Sequence, residues 1–327
     1  MPRAQVPKDR LERLVREAQA YAERVAGSDD FAFEQAFHER LRLRSGQGSA
    51  RSAGEKNAAR RPATGSHSFH IYADPRYLKN SRELARRTAG GTRVIGGQPV
   101  VAGAFLDCVA VGNDAQWGCT GTLIGPNTVL SAGHCVEVAT RVFLGNDVSK
   151  PGVTVRVKKR VRHPRYHQGG KRNDLMVLVL ERDVANVPPR TLATRAQIDA
   201  ATDGRVVGFG AVEASGTFGY GRKRQADVPI ASSACAGQVD GHDDSSSYGC
   251  DRNLELVAGR SLLARDSCNG DSGGPFYIDD GAGGWLLAGA TSRATDSALN
   301  NCGDGGIYVR VERFKTWIRG VPGVRLA

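Results

Sequence analysis

The sequence predicts an all-β fold over residues 94–327, preceded by a basic, partly helical segment over 1–93. Three observations predict it. First, short β-branched and apolar runs alternate with turns rich in Gly, Asn and Asp, at 104–111, 128–132, 154–161, 175–180, 205–209, 285–291 and 306–311. Several short strands at such spacing suggest a sandwich or barrel. Second, the apolar residues of 8–44 recur at three and four, which is a helical period. Third, all 7 cysteines lie after residue 107, so the two parts differ in kind.

In the first part, Leu11, Leu14, Val15, Ala18 and Ala22 form one helical stripe. Ser28-Asp29-Asp30 reads as a turn and N-cap, with a second helix from Phe31 to about Leu43. Residues 45–66 are small and polar, which is linker composition. Residues 67–92 contain Phe69-His70-Ile71-Tyr72 and a short helix at 80–88, and end in the cleavable stretch Thr88-Ala89-Gly90-Gly91-Thr92. At the far end, residues 312–319 read as an amphipathic helix with Phe314, Trp317 and Ile318 on one side.

The chain has 327 residues, 40% hydrophobic and 24% charged, an ordinary globular composition. It contains no run of 18 apolar residues, so no membrane span is expected. The net charge of +11 is concentrated early: residues 1–93 carry 19 Lys/Arg against 11 Asp/Glu, and the remainder carries 26 against 23. These charges are of mixed sign and lack interleaved aromatics, so a solvated helix fits better than nucleic-acid binding. No cysteine pair has CxxC spacing, which argues against a zinc or redox motif. Disulfides are expected, with at least one cysteine left over. They favour an oxidising compartment, and the protein is expected to be secreted or periplasmic. Yet the opening residues Met1-Pro-Arg-Ala-Gln-Val do not read as a signal peptide.

Three segments carry chemistry. Asp266-Ser267-Cys268-Asn269-Gly270-Asp271-Ser272-Gly273-Gly274-Pro275 sets a serine between glycines, where backbone can approach a substrate. A serine hydroxyl needs a general base to act as a nucleophile near neutral pH. Ser131-Ala132-Gly133-His134-Cys135 supplies a histidine after an apolar strand. Asn173-Asp174 places an acid at the mouth of the apolar strand 175–180, where it would be partly buried and able to orient an imidazole.

With these motifs in the order His, Asp, Ser, residues 93–320 resemble the trypsin/chymotrypsin family of serine peptidases. Cys119-Thr-Gly-Thr-Leu-Ile, His163-Pro-Arg-Tyr, Gly208-Phe-Gly and Gly306-Ile-Tyr-Val extend the resemblance. It implies two packed six-stranded antiparallel β-barrels with a C-terminal helix. It implies Ser272 as nucleophile, His134 as base, Asp174 as the group that orients His134, and the N–H groups of Gly270 and Ser272 as oxyanion donors. Arg93-Val94-Ile-Gly-Gly resembles the family's activation junction: cleavage after Arg93 would free the Val94 amine to pair with Asp271. Asp266, at the base of the primary pocket, implies preference for Arg or Lys. Ser292, Arg293, Ala294 and Gly306 match its edge and wall.

The departures carry expectations of their own. Ala294 stands where the family has glycine and narrows the entrance. Arg293 stands for tryptophan and would favour acidic substrate residues. Residues 296–301 read as an insertion, and Gly133 replaces the usual alanine. The resemblance pairs Cys119 with Cys135 and Cys268 with Cys302, leaving Cys235 with Cys250 as the remaining pair because Val257 occupies the usual cysteine position. Cys108 is then unpaired. No metal and no cofactor are expected. The expected partners are protein or peptide substrates, a protein inhibitor, and a partner of the N-terminal segment if that segment is an adaptor rather than a disposable pro-segment. A catalytically inactive binding or regulatory protein on the same fold is the alternative.

Overall fold

A computed structural model of the chain describes residues 69–88, 97–169, 172–212, 219–259, 266–296, 298 and 302–326. The helices expected within 8–44, the linker at 45–66 and the junction residues Arg93 and Val94 lie outside the described residues. Contacts divide the chain into Met1–Ser66 and His67–Ala327, and the described residues all belong to the second unit. That division falls at 66/67, whereas the boundary expected from the cleavage junction falls at 93/94.

After the short strand β1 (Gln98–Pro99), six strands close a first barrel: β2 (Cys108–Gly112), β3 (Trp117–Gly125), β4 (Thr128–Ser131), β5 (Arg141–Leu144), β6 (Val153–Arg162) and β7 (Met176–Leu180). Their order is β2-β3-β4-β7-β6-β5. A second barrel follows with β8 (Asp203–Gly208) and β9 (Arg224–Ser232). A small hairpin, β10 (Gln238–Val239) and β11 (His242–Asp243), and the helix Asp244–Tyr248 intervene. The barrel is completed by β12 (Glu255–Ala258), β13 (Pro275–Asp279), β14 (Trp285–Ala294) and β15 (Gly306–Arg310). Its order is β8-β9-β12-β15-β14-β13, with β13 returning to β8 and β1 on the edge of β9. Every pairing in both barrels is antiparallel, as expected.

Why β7 is apolar throughout follows from strand geometry. Alternate side chains face opposite ways. Met176, Leu178 and Leu180 fill the first barrel with Val109, Leu123 and Val142. Val177 and Val179 face the shared core, which holds Phe105, Leu130, Phe209, Tyr277 and Val309 from both barrels. A strand buried on both faces reads as a continuous hydrophobic run.

Two elements depart from the sequence expectation. The run 104–111 is extended only from Cys108, because Phe105 adopts a left-handed φ of 48° after a turn in which Ala104 N–H bonds to Val101 O. The helix expected at 80–88 spans Pro75–Thr88 (α1). Asp74 accepts the Arg76 N–H at 2.8 Å, as an N-cap carboxylate does, and proline suits the first helical position. The C-terminal helix runs Lys315–Gly320 after a turn at Val311–Phe314. His163, just after β6, packs edge-on to Phe314 at 5.1 Å and Trp317 at 4.8 Å, which fastens the helix to the first barrel.

A buried polar staple joins the barrels. Asp107, before β2, accepts from Arg190 Nε at 3.0 Å and from Tyr277 Oη on β13 at 2.6 Å. Phe105 stacks on the Tyr277 ring at 5.1 Å. Asp107→Ala would take the carboxylate from a half-buried guanidinium and a buried hydroxyl. We expect it to lower unfolding free energy by about 3–5 kcal/mol in denaturant titration, since breaking one side of a buried pair leaves the other uncompensated.

Candidate active site

The site lies along the seam between the barrels. From the first barrel, β4 ends at Ser131 and a single tight turn, Gly133–Cys135, presents His134. Asn173, with a φ of 48°, turns the chain so that Asp174 enters β7 with no exposed surface. The Asp174 carboxylate accepts the His134 backbone N–H on Oδ1 at 2.9 Å. Its Oδ2 lies 2.7 Å from His134 Nδ1 and accepts the Ser292 hydroxyl, from β14 of the second barrel, at 2.7 Å. Desolvation pushes the carboxyl pKa up, but the His134 and Ser292 hydrogen bonds outweigh it and hold the pKa below the usual carboxylate range. An ionised acceptor at Nδ1 places the ring proton there and leaves Nε2 as the basic nitrogen.

The serine turn is fixed against the same region. Thr120 on β3 is its anchor: its N–H donates to Ser272 O at 2.9 Å and its hydroxyl to Gly270 O at 2.8 Å. A Cβ at Gly273 would meet Ala132 N and Ser131 Oγ at 2.3 Å, so only glycine lets Ser272 approach the histidine turn this closely. Cys119–Cys135 and Cys268–Cys302 brace the two turns, Cys235–Cys250 also forms, and Cys108 is buried and free. Among the described residues, the N–H groups of Gly270 and Ser272 donate to no protein acceptor.

Two further acids lie beside the serine turn. Asp266 accepts from Tyr308 Oη at 2.5 Å and Ser267 N–H at 2.7 Å. Desolvation, only partly offset by these bonds, raises its pKa to about 7. Asp271 accepts the Gly210 and Cys268 N–H groups at 2.8 and 2.9 Å, and desolvation raises it to about 6. Among the described residues no cation pairs with Asp271. Both acids line one cleft, together with Gly97, Gly208, Gly210 and Arg224.

The remaining sequence-predicted residues are placed as follows. Ser292 serves Asp174 rather than facing solvent. Ala294 and Gly306 are paired across β14 and β15. Arg293 differs from expectation: its guanidinium forks onto buried Glu255 at 2.7 and 2.8 Å and donates to Gly249 O at 2.8 Å, so its charge is matched internally and not offered to acidic substrate residues. Arg93 and Val94 lie outside the described residues, as does part of the 296–301 insertion. The contacts of Thr120 and Tyr308 are not legible in the sequence, although both residues stand inside the motifs Cys119-Thr-Gly and Gly306-Ile-Tyr. Glu255 carried no sequence signal. The metal-ligand types Cys119, His134 and Cys135 also cluster, but both sulfurs are held in one disulfide and offer no thiolate.

Comparison with known proteins agrees with this geometry. The family model described as Trypsin matches residues 94–318. The chain is similar to the mouse (Mus musculus) protein transmembrane protease serine 11C, at 28% identity over 72% of this chain and 54% of that protein. It is also similar to the mouse transmembrane protease serine 11G, at 28% identity over 63% and 50%. The chain thus spans about half the length of the curated relatives it matches. Among the described residues no helix is long and apolar enough to cross a membrane.

The raised pKa of Asp271 has a measurable consequence. A carboxyl at about 6 when folded and near 4 when unfolded binds more protons in the folded state between those values, so stability falls as pH rises through that window. Asp271→Asn is expected to reduce the slope of unfolding free energy against pH between about 4 and 6 in the uncleaved chain, measured by denaturant titration.

Proposed function

The chain belongs to the trypsin family of serine peptidases, and from that premise we propose that it is the precursor of an endopeptidase cleaving after Arg or Lys. The observation that carries this reading is the buried Asp174 carboxylate, held 2.7 Å from His134 Nδ1 beside the Ser272 turn. Ser272 Oγ attacks the scissile carbonyl as its proton passes to His134 Nε2. The oxyanion that forms lies against the N–H groups of Gly270 and Ser272. His134 then gives its proton to the leaving amine, and water repeats the sequence on the acyl-enzyme. Asp174 keeps the tautomer fixed and stabilises the imidazolium without taking the proton.

Asp266 supports the Arg/Lys preference. It is a desolvated acid that no cation pairs with among the described residues, and a long substrate cation supplies one. Activation follows similar logic. Asp271 is a desolvated acid with no partner cation among the described residues, and Gly97 lines its cleft. Val94 stands three residues before Gly97, a span of up to about 10 Å of extended chain. Cleavage after Arg93 frees an amine within reach of Asp271, and the pair locks the serine turn. The three disulfides support an oxidising, secreted or periplasmic setting, and protein or peptide substrates fit the site.

The deciding test is hydrolysis of a small Arg amide after cleavage at Arg93, confirmed by N-terminal sequencing. Ser272→Ala is expected to lower turnover by on the order of 10⁶-fold while the protein still folds. A folded, cleaved protein that neither turns over nor labels at Ser272 is instead an inactive binding protein.

Asp266 gives a second prediction. Its ionised form binds cations, so affinity for a small amidinium inhibitor is expected to rise roughly tenfold from about pH 6 to about pH 8. Asp266→Asn is expected to lose both the affinity and this pH dependence. Affinity that stays flat in the native protein would remove Asp266 from the pocket.

A further inference from the structure

We propose that residues 69–88 remain on the activated enzyme as a non-covalent second chain, seated on the 235–250 loop and on the wall of the primary pocket. This rests on the cleavage after Arg93 proposed above. Residues 1–107 contain no cysteine, so residues 1–93 themselves offer no disulfide across the cut. The contacts that could hold it instead are extensive.

Ile71 and Tyr77 are buried in one cluster with Ala231, Val257, Ile307 and the Cys235–Cys250 pair. A polar lock surrounds them. Asp74 and Asp244 are both without exposed surface. Arg76 Nη2 reaches Asp74 Oδ2 and Asp244 Oδ1, each at 2.6 Å, and thus bridges the segment to the peptidase unit. Tyr248 Oη donates to Asp74 at 2.6 Å. Asn80 Nδ2 donates to Ile230 O at 2.8 Å, and the Phe69 N–H donates to Ser247 O at 3.2 Å. Departure of the segment would take the cation from buried Asp244, the acceptor from Tyr248 and the apolar cover from Ile307.

The position of the cut leaves these contacts intact. Helix α1 packs along β9, and β1 pairs with the same strand through Gln98 and Gln225. Arg93 lies in the nine residues, 89–97, that join them in sequence. Each side of the cut therefore keeps its own attachment to β9. The segment also bears on the pocket. A Cβ at Gly305 would meet Ile71 Cγ2 at 3.1 Å, so Ile71 backs the chain directly before the wall residue Gly306. The Gly305 carbonyl in turn accepts the Thr295 N–H at 3.1 Å.

The test uses the full chain carrying Ser272→Ala, with 89–92 replaced by the recognition sequence of a site-specific protease that cuts before Val94. After cleavage, size exclusion in native non-reducing buffer with mass analysis of the peak is expected to find the piece containing 69–88 in 1:1 ratio with the piece from Val94 onward. They part only in denaturant. Separation in native buffer overturns the proposal. Arg76→Ala is expected to speed dissociation by at least about tenfold, because one partner of a buried charge pair is lost. If that variant does not fold, Tyr77→Ala is read the same way, and an unchanged rate in the folded variant overturns the lock. The readout is mass, on a chain without the nucleophile. It therefore stands or falls separately from turnover by the native Ser272 chain, whose absence would count against the proposed activity alone.

Discussion

A carboxylate with no exposed surface must be met by donors, and Asp174 takes its donors from two bodies. His134 supplies a backbone and a ring N–H from the first barrel, and Ser292 supplies a hydroxyl from the second. The acid can stay ionised only when the barrels are held in one relation. The features that hold them are correspondingly invested in burial: the shared apolar core, the Asp107–Arg190–Tyr277 staple, and Thr120, which grips the serine turn from the opposite barrel. Disturbing the seam anywhere would first be felt as the cost of an unmatched charge at Asp174.

Three acids belong to the candidate site, Asp174 fully buried and Asp266 and Asp271 half-buried, and their surroundings drive their pKa values apart. Asp174 has an imidazole and a hydroxyl to satisfy it, and its pKa lies below the usual carboxylate range. Asp266 and Asp271 have backbone donors and one tyrosine, and desolvation leaves both raised. Each is a site whose ionisation a cation would favour. In the proposed reading one cation belongs to the substrate and the other to the newly cut chain. On that reading the acids divide the work by what they lack: the one met by an imidazole orients the base, and the two with no cation among the described residues select and switch.

The fold and the serine, histidine and aspartate motifs were legible in the sequence because they are local. Strand alternation, the glycines around Ser272 and the acid before an apolar run each fit within ten residues. The features that escaped are relations between distant strands. Arg293 read as an exposed charge because Glu255, its buried partner, lies 38 residues away and announces nothing. The start of α1 was missed although Asp74-Pro75 carries both of its signals. The helix is short of apolar residues, and its buried face is completed by β9 and the residues around it, Val257 and Ile307 among them. The turn at Phe105 was hidden in an apolar run, where left-handed backbone is unexpected for a bulky residue.

One departure from the family pattern organises the region that these local readings missed. Val257 stands where a cysteine was expected, and the bond from Cys235 instead reaches Cys250, at the end of the helix Asp244–Tyr248. Relocating the bond folds the 235–250 loop upon itself, so that Asp244 and Tyr248 are held together and face Arg76 and Asp74. Val257, paired with Ile307 across β12 and β15, contributes apolar surface that Ile71 shares. A sulfur bond at Val257 would have tied the loop directly to the barrel wall. In its place the wall is buttressed by packing and by one guanidinium shared between two buried acids. On the proposed reading the segment 69–88 thereby enters the structure of the pocket, and the chain is cut in sequence without being divided in space.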